Sequence, residues 1–463
     1  MLRSHALAHQ VKTLAHCRFS TPKQCRIVDA FDVRTGSNSP RFPQEKFNMS
    51  TRCTLSLFLA CATAFGSTAA LAQNSHELPA DHLLNAHPRY ATVSPRVNHG
   101  SVTANATPGV DSLSNFNGSY NTPGFDSNGK LRTSWFYNMV GNLPQLGGTT
   151  TINAPVVPVA LDLLNPDGTV FFHYDAKPFI LATLQSPVFQ NSTFTSSPTA
   201  TQITDAVQRA EFWSTMAPNW HTLLLASLKQ ERTMQVPASA YFYGLKKDGK
   251  CCRFVLIDYG AFGNLLFPAV ASDTTTPIGA AENAGDITTK DMSTFLFPNT
   301  FLYFNGNPND CCVIGFHSYD SEPGDTANGN KEKRYVVNYS SYISPGLFSG
   351  GFGDITALSH EIAETFNDPF VASDNKHNIT PWWLSPNGNC QNNLEVGDVI
   401  EGLPRDTFPI KMNGTTYHPQ NEALLQWFEF QFPSTAIDGA YSYPDETTLP
   451  TLSPIQLPGC PIS

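Results

Sequence analysis

The chain has 463 residues, of which 41% are hydrophobic and 14% charged. This composition excludes a charged disordered chain and a coiled coil, and the net charge of −10 excludes an electrostatic nucleic-acid binder, which needs clustered Lys and Arg. Beyond residue 72 no apolar run approaches the roughly 20 residues of a membrane helix, so no stable membrane span is expected after processing.

The N-terminal segment reads as an export signal that starts late. Met49-Ser50-Thr51-Arg52 is a short basic start, residues 54–69 are small and apolar, and Ala70-Leu71-Ala72 gives an A-x-A site before Gln73. The expectation is a mis-assigned start over 1–48, a signal peptide over 49–72, and a secreted or periplasmic product from Gln73. A membrane anchor with a short cytoplasmic tail, or a lipid anchor at Cys61, are the alternatives. Without residues 1–72 the chain keeps 19 Lys and Arg against 35 Asp and Glu, a net charge of −16. Self-repulsion keeps such a product soluble and away from anionic surfaces. Cys251, Cys252, Cys311, Cys312, Cys390 and Cys460 remain, an even set that reads as three disulfides in an oxidising compartment. Neighbours on a strand point to opposite faces, so each Cys doublet is expected to bond two different partners. A thiolate metal site is the alternative, but no CxxC spacing supports it.

Residues 73–148, rich in Asn, Ser, Gly, Thr and Pro, read as a linker or pro-like arm ahead of one α+β domain over 149–463. A strand is expected over 152–164, and a helix over 201–216, where Ile203, Val207, Ala210 and Trp213 recur at helical spacing. Strands rich in β-branched and aromatic residues follow at 238–245, 253–260, 312–319 and 334–343. The Gly-rich stretch 349–353 precedes the clearest helix, 354–367, and 370–393 forms a loop carrying Trp382-Trp383. Asn413-Gly414 signals a hairpin, and 424–432 reads as a last strand.

The chemistry concentrates in the helix. Asp354 is placed to cap it and Pro369 to end it. Ile355, Leu358, Ile362 and Phe366 form an apolar stripe, and His360 and Glu364, one turn apart, share the other side. This is H-E-x-x-E, the zincin pattern H-E-x-x-H with Glu in place of the second His, and a carboxylate is a legitimate zinc ligand. Glu361, about a quadrant away, can reach an ion-bound water without binding the ion. The bland reading of the same residues is a solvated polar helix face. A third ligand must come from elsewhere: Glu395 in Leu394-Glu395-Val396-Gly397-Asp398 is the first choice, with Asp398 as a ligand or as a partner that orients His360.

The stretch SHEIAETFNDPF (359–370), a Trp-bearing loop and then EVGD (395–398) resembles the exordium-like, phosphate-induced secreted proteins and related uncharacterised bacterial ones. Gly315-Phe316-His317-Ser318-Tyr319, Phe408 to Gly414 and Leu425-Gln426-Trp427 add to the likeness, which covers roughly 250–460. The resemblance implies a secreted protein with a zincin-like helix and an apparent metal site, linked in plants to growth signalling and cell walls rather than to a defined reaction. The chain departs from it in a longer insert at 371–393 and in Val399, where relatives often carry a Cys-containing turn.

His317 reads as a ligand, a transition-state donor or a satisfied core histidine, the last or an outer-layer partner being preferred. Tyr319 is a second guess for that donor. His173, His221, His377 and His418 read as structural. No G-x-S-x-G, phosphate loop or dinucleotide fingerprint occurs. Two readings stay open. One is a secreted zinc-dependent, metallopeptidase-like hydrolase acting on a peptide or cell-wall-associated substrate, in a single zincin-like, disulfide-stapled α+β domain with a mixed sheet. In it His360, Glu364 and Glu395, with Asp398, hold Zn²⁺, Glu361 is the general base and His317 a further catalytic candidate. The other is a non-catalytic exordium-like binding or signalling protein.

Overall fold

Thr149–Leu164 is the spine of the structure. Within INAPVVPVALDLL the eight residues 154–161 are continuously apolar rather than alternating and are all buried, the pattern of a strand covered on both faces. In the computed structural model, which describes residues 76–90, 96–97, 109–126, 129–246, 252–371, 380–381, 383–391 and 393–452, this strand lies inside a nine-stranded mixed sheet. His221–Leu228 and Arg232–Val236 run parallel to it on one side. Met292–Pro298 is parallel on the other side, and Val170–Tyr174 folds back antiparallel. The sheet continues through Glu332–Tyr342, parallel to Met292–Pro298, to Gly315–Glu322, which is antiparallel. A second, four-stranded sheet holds Tyr241–Leu245, Arg253–Asp258, Thr300–Phe304 and Asn307–Val313. With helices packed on these sheets the chain is α+β, and its described residues fall in one compact unit, residues 71–463. Among the described residues no helix is long and apolar enough to cross a membrane.

Most strands and helices read from composition and spacing occur, with local differences; the strand expected over 312–319 is divided between Asn307–Val313 in the four-stranded sheet and Gly315–Glu322 in the nine-stranded one. The helix expected over 201–216 spans Ile203–Glu211, and the Asn413-Gly414 hairpin joins Ile410–Met412 to Thr415–Tyr417, with both turn residues at positive φ. The last expected strand is instead a short helix, Leu425–Phe428. Its aromatic run satisfies burial without sheet pairing: Leu425, Trp427 and Phe428 enter one apolar cluster with Trp135, Trp220 and Trp383. Residues 115–140 contribute to that same cluster. Asn115–Tyr120 and Trp135–Val140 form an antiparallel hairpin that buries Phe116, Tyr120, Trp135 and Met139.

Cysteine pairing differs from expectation. Cys311 is bonded to its own neighbour Cys312, across a cis peptide that holds the Cα atoms 3.1 Å apart. The opposite-face argument assumed a trans, extended pair, and here the two side chains meet. Cys252 and Cys390 are also disulfide-bonded. The expected start at 1–48, the signal peptide at 49–72, Cys251, Cys460, His377 and Trp382 lie outside the described residues.

The helix Thr356–Asn367 packs on Glu332–Tyr342 and Gly315–Glu322, and also touches Trp135–Val140 and Ile203–Glu211. All of its residues are buried, which removes the reading of its polar side as a solvated face. Ile355, Leu358, Ile362 and Phe366 fill the largest core cluster, as their spacing predicts. Asp354 does not cap the helix in the ordinary way. It sits at positive φ, accepts from the Ile355 N–H at 2.6 Å and the His418 N–H at 2.9 Å, and pairs with His418 Nδ1 at 2.7 Å. Asp368 and then Pro369 follow the last helical residue.

Candidate metal centre

Strand alternation and helix periodicity bring the ionisable groups together. On Gly315–Glu322 odd and even residues point to opposite faces: Phe316 enters the cluster around Phe262, and Tyr319 the cluster around the helix. Gly315 and His317 lie on the helix side. A Cβ at Gly315 would collide with the Glu361 carboxylate, so glycine there lets the helix approach the strand. Gly397 does the same from the other side, where a Cβ would collide with the His360 ring. The Gly397 and Asp398 N–H groups both donate to Glu364 Oε1, at 3.1 and 3.2 Å, which leaves Oε2 facing the histidines.

The distances define two sets. His360 Nε2 lies 3.0 Å from Glu364 Oε2 and 3.7 Å from Asp398 Oδ1. His317 Nδ1 lies 3.4 Å from Glu364 Oε2, 3.5 Å from Glu361 Oε2 and 3.8 Å from Glu395 Oε2. Each set has the spacing of atoms that could hold one ion: His360, Glu364 and Asp398 in the first, His317, Glu364 and Glu395 in the second. Asp398 thus faces the same His360 nitrogen as Glu364 does, as a co-ligand would, and does not orient the ring from behind. Glu395 meets His317 rather than His360. His317, preferred above as a core or outer-layer residue, points its Nδ1 into the cluster. Tyr319 packs edge-on against Phe370 with the Arg334 guanidinium over its ring, away from the role guessed for it.

The electrostatics of the cluster are those of a site short of positive charge. Burial opposes the charged form of His360, but the Glu364 carboxylate and its neighbours outweigh it and hold the imidazole up to about 9. His317 is likewise raised, by Glu395, Glu361 and Glu364 against the effect of burial. Glu364 is driven well below the ordinary carboxylate range, because His360 and His317 outweigh its desolvation. The other acids go the opposite way: burial pushes Glu361 and Asp368 up to about 7 and Glu401 to about 8, and raises Glu395 and Glu422 well above the ordinary carboxylate range. Buried carboxylates are costly unless neutralised or hydrogen-bonded. Yet His360 Nε2, Glu395 Oε1 and both Glu361 oxygens are buried with no hydrogen-bond partner. A divalent cation satisfies such groups, and imidazole with carboxylates is a donor set that fits zinc and its neighbours among the transition metals.

Residues outside the motif complete the surroundings. Tyr90 lies flat on the His360 ring, with centroids 3.2 Å apart and planes at 6°, and its hydroxyl donates to Gln420 Oε1 at 2.9 Å. Gln420 in turn donates from Nε2 to the Gly397 carbonyl at 2.8 Å. Nothing in the low-complexity sequence around Tyr90 signals this contact. A cavity of about 600 Å³ opens beside the cluster, lined by Arg89, Tyr90, Asn389, Cys311, Asp398 and Glu401. Asp398 belongs to both the cavity wall and the ligand set. A third acidic group, Glu282, Asp320 and Glu322, contains no imidazole. No protein-family model, curated protein or solved structure matches the chain.

Proposed function

We propose that the protein is an exported, metal-dependent hydrolase with a zincin-like centre, of metallopeptidase type, with zinc as its ion. The carrying observation is the set of His360, Glu364 and Asp398, the first two buried and the third half-buried, with His360 Nε2 without a hydrogen bond and Asp398 continuing into an open cavity. His360, Glu364 and Asp398 would hold a divalent cation, which would supply Lewis-acid polarisation of a substrate carbonyl and a water of lowered pKa, roughly 7. The protein's own part is positional. Glu364 is held by two backbone amides, so its free oxygen stays aimed at His360. Glu361, next to His360 in sequence, has no hydrogen bond to give up and is placed as the general base that takes a proton on Oε1 or Oε2. Arg89 and Asn389 on the cavity wall offer donors to an extended peptide or cell-wall-associated chain.

The exordium-like reading, a binding or signalling protein with a structural ion, draws support from one feature. Tyr90 covers His360, whose own exposure is 0%, the enclosure expected of a structural metal site. The two readings separate by one experiment on the purified full-length protein. Glu361→Gln should leave the metal content unchanged and abolish cleavage of a broad peptide library. A parent that binds metal and cleaves nothing supports the second reading.

A further inference from the structure

We infer that this centre takes two divalent cations side by side, bridged by Glu364. The inference rests on the reading of the cluster as a metal site and adds a second ion to it. Atoms bound to one tetrahedral ion at about 2 Å stand roughly 3 to 4 Å from one another. The pairs His360–Glu364 and His360–Asp398, at 3.0 and 3.7 Å, meet that spacing, and so do His317–Glu364 and His317–Glu395, at 3.4 and 3.8 Å. The two histidines fall in different sets, and Glu364 alone belongs to both.

Two independent features point the same way. The first is the orientation of His317. Its Nε2 lies 3.2 Å from the Asp368 carbonyl oxygen, to which it donates, and this leaves the Nδ1 lone pair for the cluster. Such a carbonyl behind a histidine is the usual outer support of a metal ligand. The second is orphaned polarity at the inner position. Glu395 Oε1 is buried without a hydrogen-bond partner, and an ion held only by His360, Glu364 and Asp398 leaves it so. Paired ions about 3.5–4 Å apart under a bridging carboxylate are a common hydrolytic arrangement, clamping the attacking and leaving oxygens of a substrate.

The two positions differ in access. The Asp398 side chain keeps 13% exposure and lines the cavity, whereas His317 and Glu395 are each 2% exposed. The outer ion is therefore the exchangeable one and the inner ion the slow one.

The test uses full-length protein stripped with a chelator and refilled with Zn²⁺, followed by calorimetry and elemental analysis. Two ions per chain are expected, released by chelator in a fast and a slow phase. His317→Ala should lower the count to one and remove the slow phase, and Asp398→Ala should remove the fast phase. One ion per chain in the parent, or two ions retained in His317→Ala, overturns the bridged pair and leaves the single-ion reading standing. No ion in any preparation overturns both. Should the variants fail to fold, Mn²⁺-loaded parent still decides: a coupled pair gives an exchange-broadened paramagnetic resonance spectrum, and isolated Mn²⁺ at full occupancy overturns the inference.

Discussion

Gly397 touches His360 through the absence of a side chain. A Cβ at that position would run into the imidazole, and the peptide around it delivers two N–H bonds to Glu364. One glycine thus sets both the ring position and the carboxylate position. Gly397→Ala should push the ring or the loop aside, lower stability by about 1–3 kcal/mol as overpacking does, and weaken metal binding about 10–100-fold. Calorimetric titration with Zn²⁺ reads the second effect. An unchanged affinity would mean the loop moves freely and does not position the ligands.

Glu361 separates chemistry from binding. Glu361→Gln keeps the shape and hydrogen-bonding size of the side chain but removes the base. Turnover should fall by about 10²–10⁴-fold, with metal content intact by elemental analysis. A variant that keeps more than a tenth of parental turnover would show that the proton goes elsewhere.

Tyr90 is held by its ring against His360 and by its hydroxyl on Gln420. Tyr90→Ala should destabilise the fold by about 3 kcal/mol, as other large-to-small core changes do, and let a chelator strip the outer ion faster. Tyr90→Phe keeps the stack and loses one hydrogen bond, about 1 kcal/mol. Stripping rates that match the parent in Tyr90→Ala would show that the ring does not guard the ion.

Away from the centre, burial pushes the Glu429 carboxyl up to about 7 from an ordinary 4.5. The folded chain then holds more protons than the unfolded chain between those values. Stability from this group is present below about 4.5 and declines as pH rises to about 7. Glu429→Gln removes the dependence. In urea unfolding, its gain over the parent should be larger at pH 8 than at pH 5, by about 1–3 kcal/mol. An equal gain at both values would place the carboxyl in water.

Much of this was legible in the residues, and the failures have physical causes. His360, Glu361 and Glu364 follow from helix periodicity, and Glu395 and Asp398 from the need for a further carboxylate. Which of the two joins His360 was not legible, because it depends on how Gly397 turns the chain between them. His317 was undervalued because its strand reads as uniformly buried, and only the pairing of Gly315 with Glu361 shows which face meets the helix. Tyr90 sits in a stretch without periodicity and is carried to the site by its neighbour Arg89, whose backbone bonds to Cys312 and Ile314. The strand expected at 424–432 became a helix because aromatic content signals burial, not the pairing that makes a sheet.

The most direct test of the central claim is elemental analysis of the intact protein purified without chelator, beside a His360→Ala, Glu364→Ala double variant. The parent should carry one to two divalent ions per chain, chiefly zinc, and the double variant close to none. A parent free of stoichiometric metal, or a double variant that retains all of it, would contradict the metal centre.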